Sequence, residues 1–164
     1  MRAPRACAVA VVALALVLGW GGEEASAAAY LGEFCWQVAL TENEAGPTTG
    51  TTLLFRLGVT QMGGQYYSVQ GTRTVSNPPA APGAAPVFLH GAGFLSGTEV
   101  IITANSTYDG TPQPAIRSGR SFQLRLSPVN FNGTLWSTFT DFDVAGRTFT
   151  DHYVAGPATF TACP

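Results

Sequence analysis

Short segments in which apolar and polar residues alternate, separated by glycine-bearing turns, repeat along this chain and constrain its fold more than any other feature. Alternation of this kind places successive side chains on opposite faces of an extended strand. The segments are rich in Val, Ile, Thr, Phe and Tyr, and none has the 3.6-residue period of an amphipathic helix. The sequence therefore predicts an all-β domain of about eight antiparallel strands.

The predicted strands are separated by glycine turns and by three polar or proline-containing loops. Met62-Gly63-Gly64 predicts a hairpin turn between the second strand and the third. We expect loops at residues 43–50, 76–86 and 109–119, the last two because proline lacks the donor that a central strand requires. The predicted strands are Glu33 to Leu40, Thr51 to Gln61, Gln65 to Val75, Val87 to Leu95, Glu99 to Tyr108, Arg120 to Val129, Thr134 to Val144, and Arg147 to Tyr153 with its continuation to Cys163.

The N-terminal segment has the three parts of a secretory signal peptide. Arg2 and Arg5 precede an apolar run from Ala6 to Leu18, and small residues follow at 25–29. The run holds roughly 13 residues, whereas a membrane-spanning helix needs about 20. We predict that residues 1–29 are a cleaved signal, that residues 30–164 form a single domain, and that the protein is exported to the periplasm or the extracellular space without a retained membrane span.

Two cysteines remain once Cys7 leaves with the signal. Cys35 and Cys163 face an oxidising compartment and permit one intramolecular disulfide, which joins the first strand to the last. Short connections between sequence neighbours favour an up-and-down antiparallel barrel in which the last strand closes on the first. A β-sandwich that brings the two ends together is the alternative fold.

Composition excludes several functions. The predicted mature chain has six arginines, no lysine and eight carboxylates, so it lacks the basic surface of a nucleic-acid-binding protein and any lysine-based catalysis. No serine lies in a nucleophile elbow, and with Cys35 and Cys163 paired no thiol is left to act as a nucleophile. The sequence predicts no catalytic residue, metal ligand or cofactor, and it leaves the oligomeric state open.

Several polar residues of the chain are candidate site residues. His90 and His152 supply at most half of a zinc site, and we interpret them as locally hydrogen-bonded histidines. Asp141, Asp143 and Asp151 lie close together in sequence, as calcium ligands or a glycosidase pair do. We interpret these aspartates as solvated charges.

Phe34-Cys35-Trp36 in the first strand and Thr140-Asp141-Phe142 near the end, on an exported eight-stranded meander, resemble the calycin group, which comprises the lipocalins and their relatives. The resemblance implies a barrel that carries a small apolar ligand inside.

The leading hypothesis is a non-enzymatic protein that holds a small, largely apolar molecule in its barrel, since eight strands enclose just enough space for side chains or one small ligand. The candidate pocket residues are large side chains from different strands. On the seventh predicted strand the sequence leaves two inward faces possible, one with Trp136 and Phe142 and the other with Leu135 and Phe139. The candidates are Trp36, Phe55, Tyr67, Tyr108, Phe122 and Trp136.

Other functions stay open. A barrel enzyme, such as an isomerase or cyclase, would use the same cavity and a polar group such as His90, His152 or Asp151. A structural or protein-interaction module would have a filled core. An outer-membrane barrel would need an outward apolar band, which Gln37, Arg56 and Thr60 interrupt.

Overall fold

The structure is all-β over the residues it describes. A computed structural model describes residues 27–77, 86–109, 116–143 and 145–164. These ranges contain no helix, hence none suited to crossing a bilayer. Their strands are β1 (Ala29–Ala39), β2 (Glu42–Asn43), β3 (Gly46–Pro47), β4 (Thr52–Gly63), β5 (Tyr66–Asn77), β6 (Val87–Ser96), β7 (Glu99–Asp109), β8 (Ile116–Leu126), β9 (Gly133–Asp143) and β10 (Thr148–Thr161).

The eight long strands form a closed barrel. From β4 to β10 each strand pairs antiparallel with the next one in sequence, and β1 lies between β4 and β10. The prediction of an up-and-down antiparallel barrel is therefore confirmed, and the sandwich alternative is wrong. The turns follow the predicted chemistry: Gly63, Gly64 and Gly97 adopt positive φ where β4 meets β5 and β6 meets β7.

A disulfide lies at the seam where the barrel closes. Cys35 in β1 pairs in register with Thr161 in β10, and Cys163 follows two residues later. The Cα atoms of Cys35 and Cys163 are 5.2 Å apart and their sulfurs are bonded, as the sequence predicts.

Alternation sorts each strand into an inward and an outward face. The fifteen buried residues of the main core come from all eight long strands. On β9 the inward residues are Leu135 and Ser137, both about 1% exposed, whereas Trp136 is 48% exposed on the outside. The structure thus resolves the parity that the sequence left open. The core residues are Trp36, Val38, Leu40, Leu53, Phe55, Leu57, Val69, Leu89, Ile102, Ala104, Phe122, Leu124, Leu126, Leu135 and Ala158.

The predicted loop at 43–50 is partly wrong. Residues 42–47 instead contain the hairpin β2–β3, whose first strand pairs with β10 through Glu42 and Asn43. These strands have two residues each, too few for an alternating pattern to indicate them. The other boundaries shift at strand ends: β1 begins at Ala29 and β8 at Ile116. Most of the predicted signal, and residues 78–85 and 110–115 of the two proline-containing loops, lie outside the described residues.

Inward glycines allow neighbouring strands to approach closely. A Cβ added at Gly91 in β6 would lie 1.9 Å from the carbonyl oxygen of Thr103 in β7. Such positions bend the sheet where a barrel curves, and only glycine fits them without moving backbone.

Removing the disulfide should lower stability. The bond closes a loop of sequence separation 128, for which the chain-entropy model gives a stabilisation of about 4 to 5 kcal/mol. We expect the double variant Cys35→Ala, Cys163→Ala to unfold at lower urea concentration by about that free energy. Thiol labelling of the unfolded wild-type protein supplies the check: two free thiols without reductant would contradict the bond.

Gly91→Ala should destabilise the barrel because its methyl group would collide with the backbone of β7. We expect a loss of about 2 kcal/mol or more, as for other overpacked interiors. Gly119→Ala is the matched control, because a Cβ at Gly119 meets nothing within 4 Å. Equal urea midpoints for the two variants would show that the strand crossing is not tight at Gly91.

Candidate functional site

The two ends of the barrel interior differ in chemistry. At one end β1, β5 and β7 begin and β4, β6 and β8 end, and the inward side chains there are apolar. At the opposite end the inward residues include Arg73, Arg120 and Ser106. We call the first the apolar cup and the second the arginine end.

The apolar cup is a cavity whose wall comes from six strands and one loop. The space open to the centre of a water molecule is about 60 Å³, and all empty space, with the open solvent at the mouth included, is about 680 Å³. The smaller volume limits what fits in the cup as it stands. Its lining residues are Leu31, Phe34, Trp36, Val59, Tyr67, Val69, Gly93, Leu95, Val100, Ile102, Leu126, Pro128 and Phe131.

A short loop between β8 and β9, residues 127–132, contributes to the mouth of the cup; we call it the cap loop. The indole Nε1 of Trp36 donates a hydrogen bond of 2.9 Å to the carbonyl of Phe131. Asn132 accepts bonds from the amide of Phe160, through Oδ1, and from the amide of Ser127, through its carbonyl. Trp36 and β10 therefore hold the cap loop in place.

Phe131 is strained and aromatic. Its φ is 56°, in the left-handed region that a bulky side chain rarely adopts. Its ring lies 6.4 Å from that of Phe34 and 5.7 Å from that of Phe160, measured between centroids. Aromatic packing and the Trp36 hydrogen bond offset the backbone strain, and strain of this kind is common at ligand clamps.

The structure does not bring the candidate pocket residues together: the described ones lie in the cup, deeper in the core or on the outer face. Trp36 and Tyr67 line the cup, and burial raises the pKa of Tyr67. Phe55 and Phe122 pack edge to face deeper in the core, with centroids 5.5 Å apart. Trp136 lies on the outer face, stacked on Tyr153 at 4.8 Å.

The sixth candidate, Tyr108, belongs to β7, but its side chain lies outside the part of the chain that the structure describes. Sequence reasoning missed the cap loop. Phe131 lies between two asparagines in a turn, so no alternation indicated that it faces the interior.

The arginine end contains buried polar groups. Arg73, opposite Phe55 in register, lies over the ring of Phe122 with its Cζ 5.8 Å from the centroid. Its Nε is buried and makes no hydrogen bond to any residue that the structure describes, and the same holds for Oγ of Ser106. A buried donor left unsatisfied costs about 1 to 3 kcal/mol. Burial, with the nearby charge of Arg120, lowers the pKa of Arg73 to about 10.

His152 lies beside this end, between two carboxylates. Its Nδ1 is 2.6 Å from Oε1 of Glu44, and its Nε2 is 3.9 Å from Oδ2 of Asp141. The hydrogen bond to His152 lowers the pKa of Glu44. The contact ties the turn between β2 and β3 to β10.

The other polar candidates are not brought together. His90 is exposed, whereas the ring of His152 stacks on Phe139, so the two histidines do not face each other. Asp151 is exposed and accepts a hydrogen bond from Thr140, on the opposite side of the sheet from Asp141. Within the described ranges, no cluster of three or more His, Cys, Asp or Glu side chains is arranged to hold a metal ion.

Comparison of the chain with protein-family models, with curated proteins and with solved structures found no match. The closed eight-stranded antiparallel barrel is compatible with a calycin-like layout.

Trp36→Phe should loosen the cap loop, because phenylalanine cannot donate to the Phe131 carbonyl. We expect a loss of about 1 to 3 kcal/mol of stability and faster hydrogen exchange at the amides of Ser127 and Phe160. The control is Trp136→Phe, which changes an outer-face tryptophan. Unchanged exchange at both amides in Trp36→Phe would mean that the indole does not hold the loop.

Proposed function

We propose that the protein is an exported, non-enzymatic binding protein that holds a small apolar molecule in the apolar cup. The observation that carries the proposal is the chemistry of the wall: all of its side chains are apolar apart from the tyrosine hydroxyl and the indole N–H. The indole N–H already donates to the cap loop. Such a wall gains free energy by excluding water, and its ligand needs few hydrogen-bonding groups.

The size of the cup limits its ligand. An apolar cavity of about 150 Å³ accepts benzene, and pockets for larger ligands hold about 300 to 1,000 Å³. The free volume of the cup, about 60 Å³, is smaller than either. We therefore propose that a ligand of about one ring, or a short aliphatic chain, enters as the cap loop moves outward and Phe131 gives up its place at the mouth.

The disulfide and the calycin-like layout support this proposal. A Cys35–Cys163 bond is compatible with an oxidising, periplasmic or extracellular location. The calycin resemblance adds the expectation of an interior ligand. An isomerase or cyclase acting in the cup has less support, because Tyr67 is the only titratable residue in its wall, and its raised pKa keeps the hydroxyl neutral.

Tryptophan fluorescence tests the proposal. Trp136→Phe leaves Trp36 as the sole tryptophan between residues 27 and 164. In this background, without residues 1–29, we expect toluene, indane or hexanol to change the Trp36 emission saturably. If no compound of a panel of single-ring and short-chain molecules alters the emission, the proposal is wrong.

A pair of variants locates the binding. Val100→Phe adds a ring to the cup wall and should weaken binding at least about tenfold by occupying the cavity. Thr103→Phe adds the same ring on the outer face of the same strand and should leave binding within about twofold. Equal affinities in the two variants would place the ligand elsewhere.

A further inference from the structure

The arginine end differs in chemistry from the apolar cup and is a candidate for a second binding site. Arg73 in β5 and Ser106 in β7 both face the interior, and Ser106 lies opposite Arg120 in the register of β7 with β8. Ser106 is 3% exposed. Two cations and a hydroxyl from three strands therefore lie on the inner wall at one end of the barrel, and the charge of Arg120 acts on Arg73.

The unsatisfied groups at this end are donors. The Nε of Arg73 and the hydroxyl of Ser106 make no hydrogen bond within the described residues. Native proteins leave few buried polar groups unpaired, so an orphan pair indicates a partner of complementary chemistry. Because burial and the charge of Arg120 both disfavour the Arg73 cation, a partner that offsets them is an acceptor with negative charge.

Within the described residues, the carboxylates near this end contact other groups, and one of them, Asp143, accepts a hydrogen bond from the amide of Ala145. Glu44 hydrogen bonds to His152, and Asp141 lies on the other side of the same ring. Neither lowers the cost of burying Arg73, whose pKa responds to burial and to Arg120. A cationic ligand would be repelled by the two arginines.

We propose that the arginine end binds the carboxylate of a small organic acid, with Arg73 and Ser106 as its hydrogen-bond donors and Arg120 adding positive charge. A guanidinium presents its N–H groups in a plane that matches the two oxygens of a carboxylate. The ring of Phe122 beneath Arg73 excludes water from one face of the guanidinium and strengthens this interaction.

This site is separate from the apolar cup. Phe55 and Phe122 fill the core between the two ends, so a carboxylate at Arg73 does not reach the cup. The inference therefore does not depend on the proposed binding of an apolar molecule.

Thermal unfolding with added anions tests the site. Acetate, propionate and benzoate are compared with chloride, sulfate and phosphate at constant ionic strength and pH 7, using the disulfide-bonded protein. We expect at least one carboxylate to raise the unfolding midpoint saturably, by about 5 °C or more at a hundredfold excess over its Kd. No midpoint shift with any carboxylate overturns the proposal, and equal shifts with sulfate or phosphate overturn the assignment to a carboxylate.

Three variants assign the effect to named residues. Arg73→Met keeps the length of the side chain and should abolish the carboxylate-dependent shift, and Ser106→Ala should weaken binding about threefold to tenfold. Arg125→Met is the matched control, since Arg125 is an outward arginine paired with Glu99, and it should keep the full shift. A full shift in both Arg73→Met and Ser106→Ala would overturn the site.

Two results separate this inference from the proposed function. Val100→Phe, which fills the cup, should retain the carboxylate-dependent shift. If Arg73→Met fails to fold, the Kd of Ser106→Ala, measured by calorimetry, decides: an affinity equal to that of the wild type contradicts the proposal.

Discussion

Closure of β1 on β10 is the constraint on which the rest of the structure depends. An open sheet of this length would leave two unpaired edges, and a barrel removes them. Yet β1 and β10 share only four residue pairs, from Cys35–Thr161 to Val38–Ala158, because β10 continues along β2 instead. The disulfide therefore lies beside the shortest seam of the barrel. There a cross-link offsets the large loss of chain entropy that comes with joining the two ends of the chain.

Closure also divides the inside of the barrel into two environments. Once the ends are joined, the inward residues of all eight long strands share one narrow volume, and the core fills its middle. The free space that remains lies at the two ends, and the inward residues nearest the turns determine its chemistry. At one end these residues are apolar and leave the cup, and at the other the described inward residues include two arginines and a serine.

The sequence predicts the barrel well because its main signal is local. Alternation identifies each long strand, glycine pairs such as Gly63-Gly64 identify turns, and Cys35 and Cys163 identify the seam. Parity fails as a guide where both faces are apolar. On β9 tertiary packing selects the side of Leu135, and Trp136 finds a stacking partner outside, in Tyr153.

The candidate sites are less predictable because they depend on exceptions to the same rule. Charged residues on strands normally face solvent. Alternation puts Arg73 on the face of Tyr67 and Val69 and puts Arg56 on the opposite face from Phe55, but it does not indicate that a charge on the inner face stays buried. The orientation of Phe131 is equally hard to predict, since a residue in a turn belongs to no alternating pattern. Its place over the cup follows from the Trp36 indole, 95 residues away in sequence.

The filled middle of the barrel has a consequence for the kind of ligand it can hold. Phe55 and Phe122, in edge-to-face contact and nearly fully buried, occupy the axis between the cup and the arginine end. An elongated amphipathic molecule would need that axis, with its tail in the cup and its charged head at Arg73. Opening the axis would require both rings to leave a close-packed core, whereas a small ligand at either end disturbs only a loop or a few side chains. The architecture therefore favours small ligands that bind at the ends of the barrel.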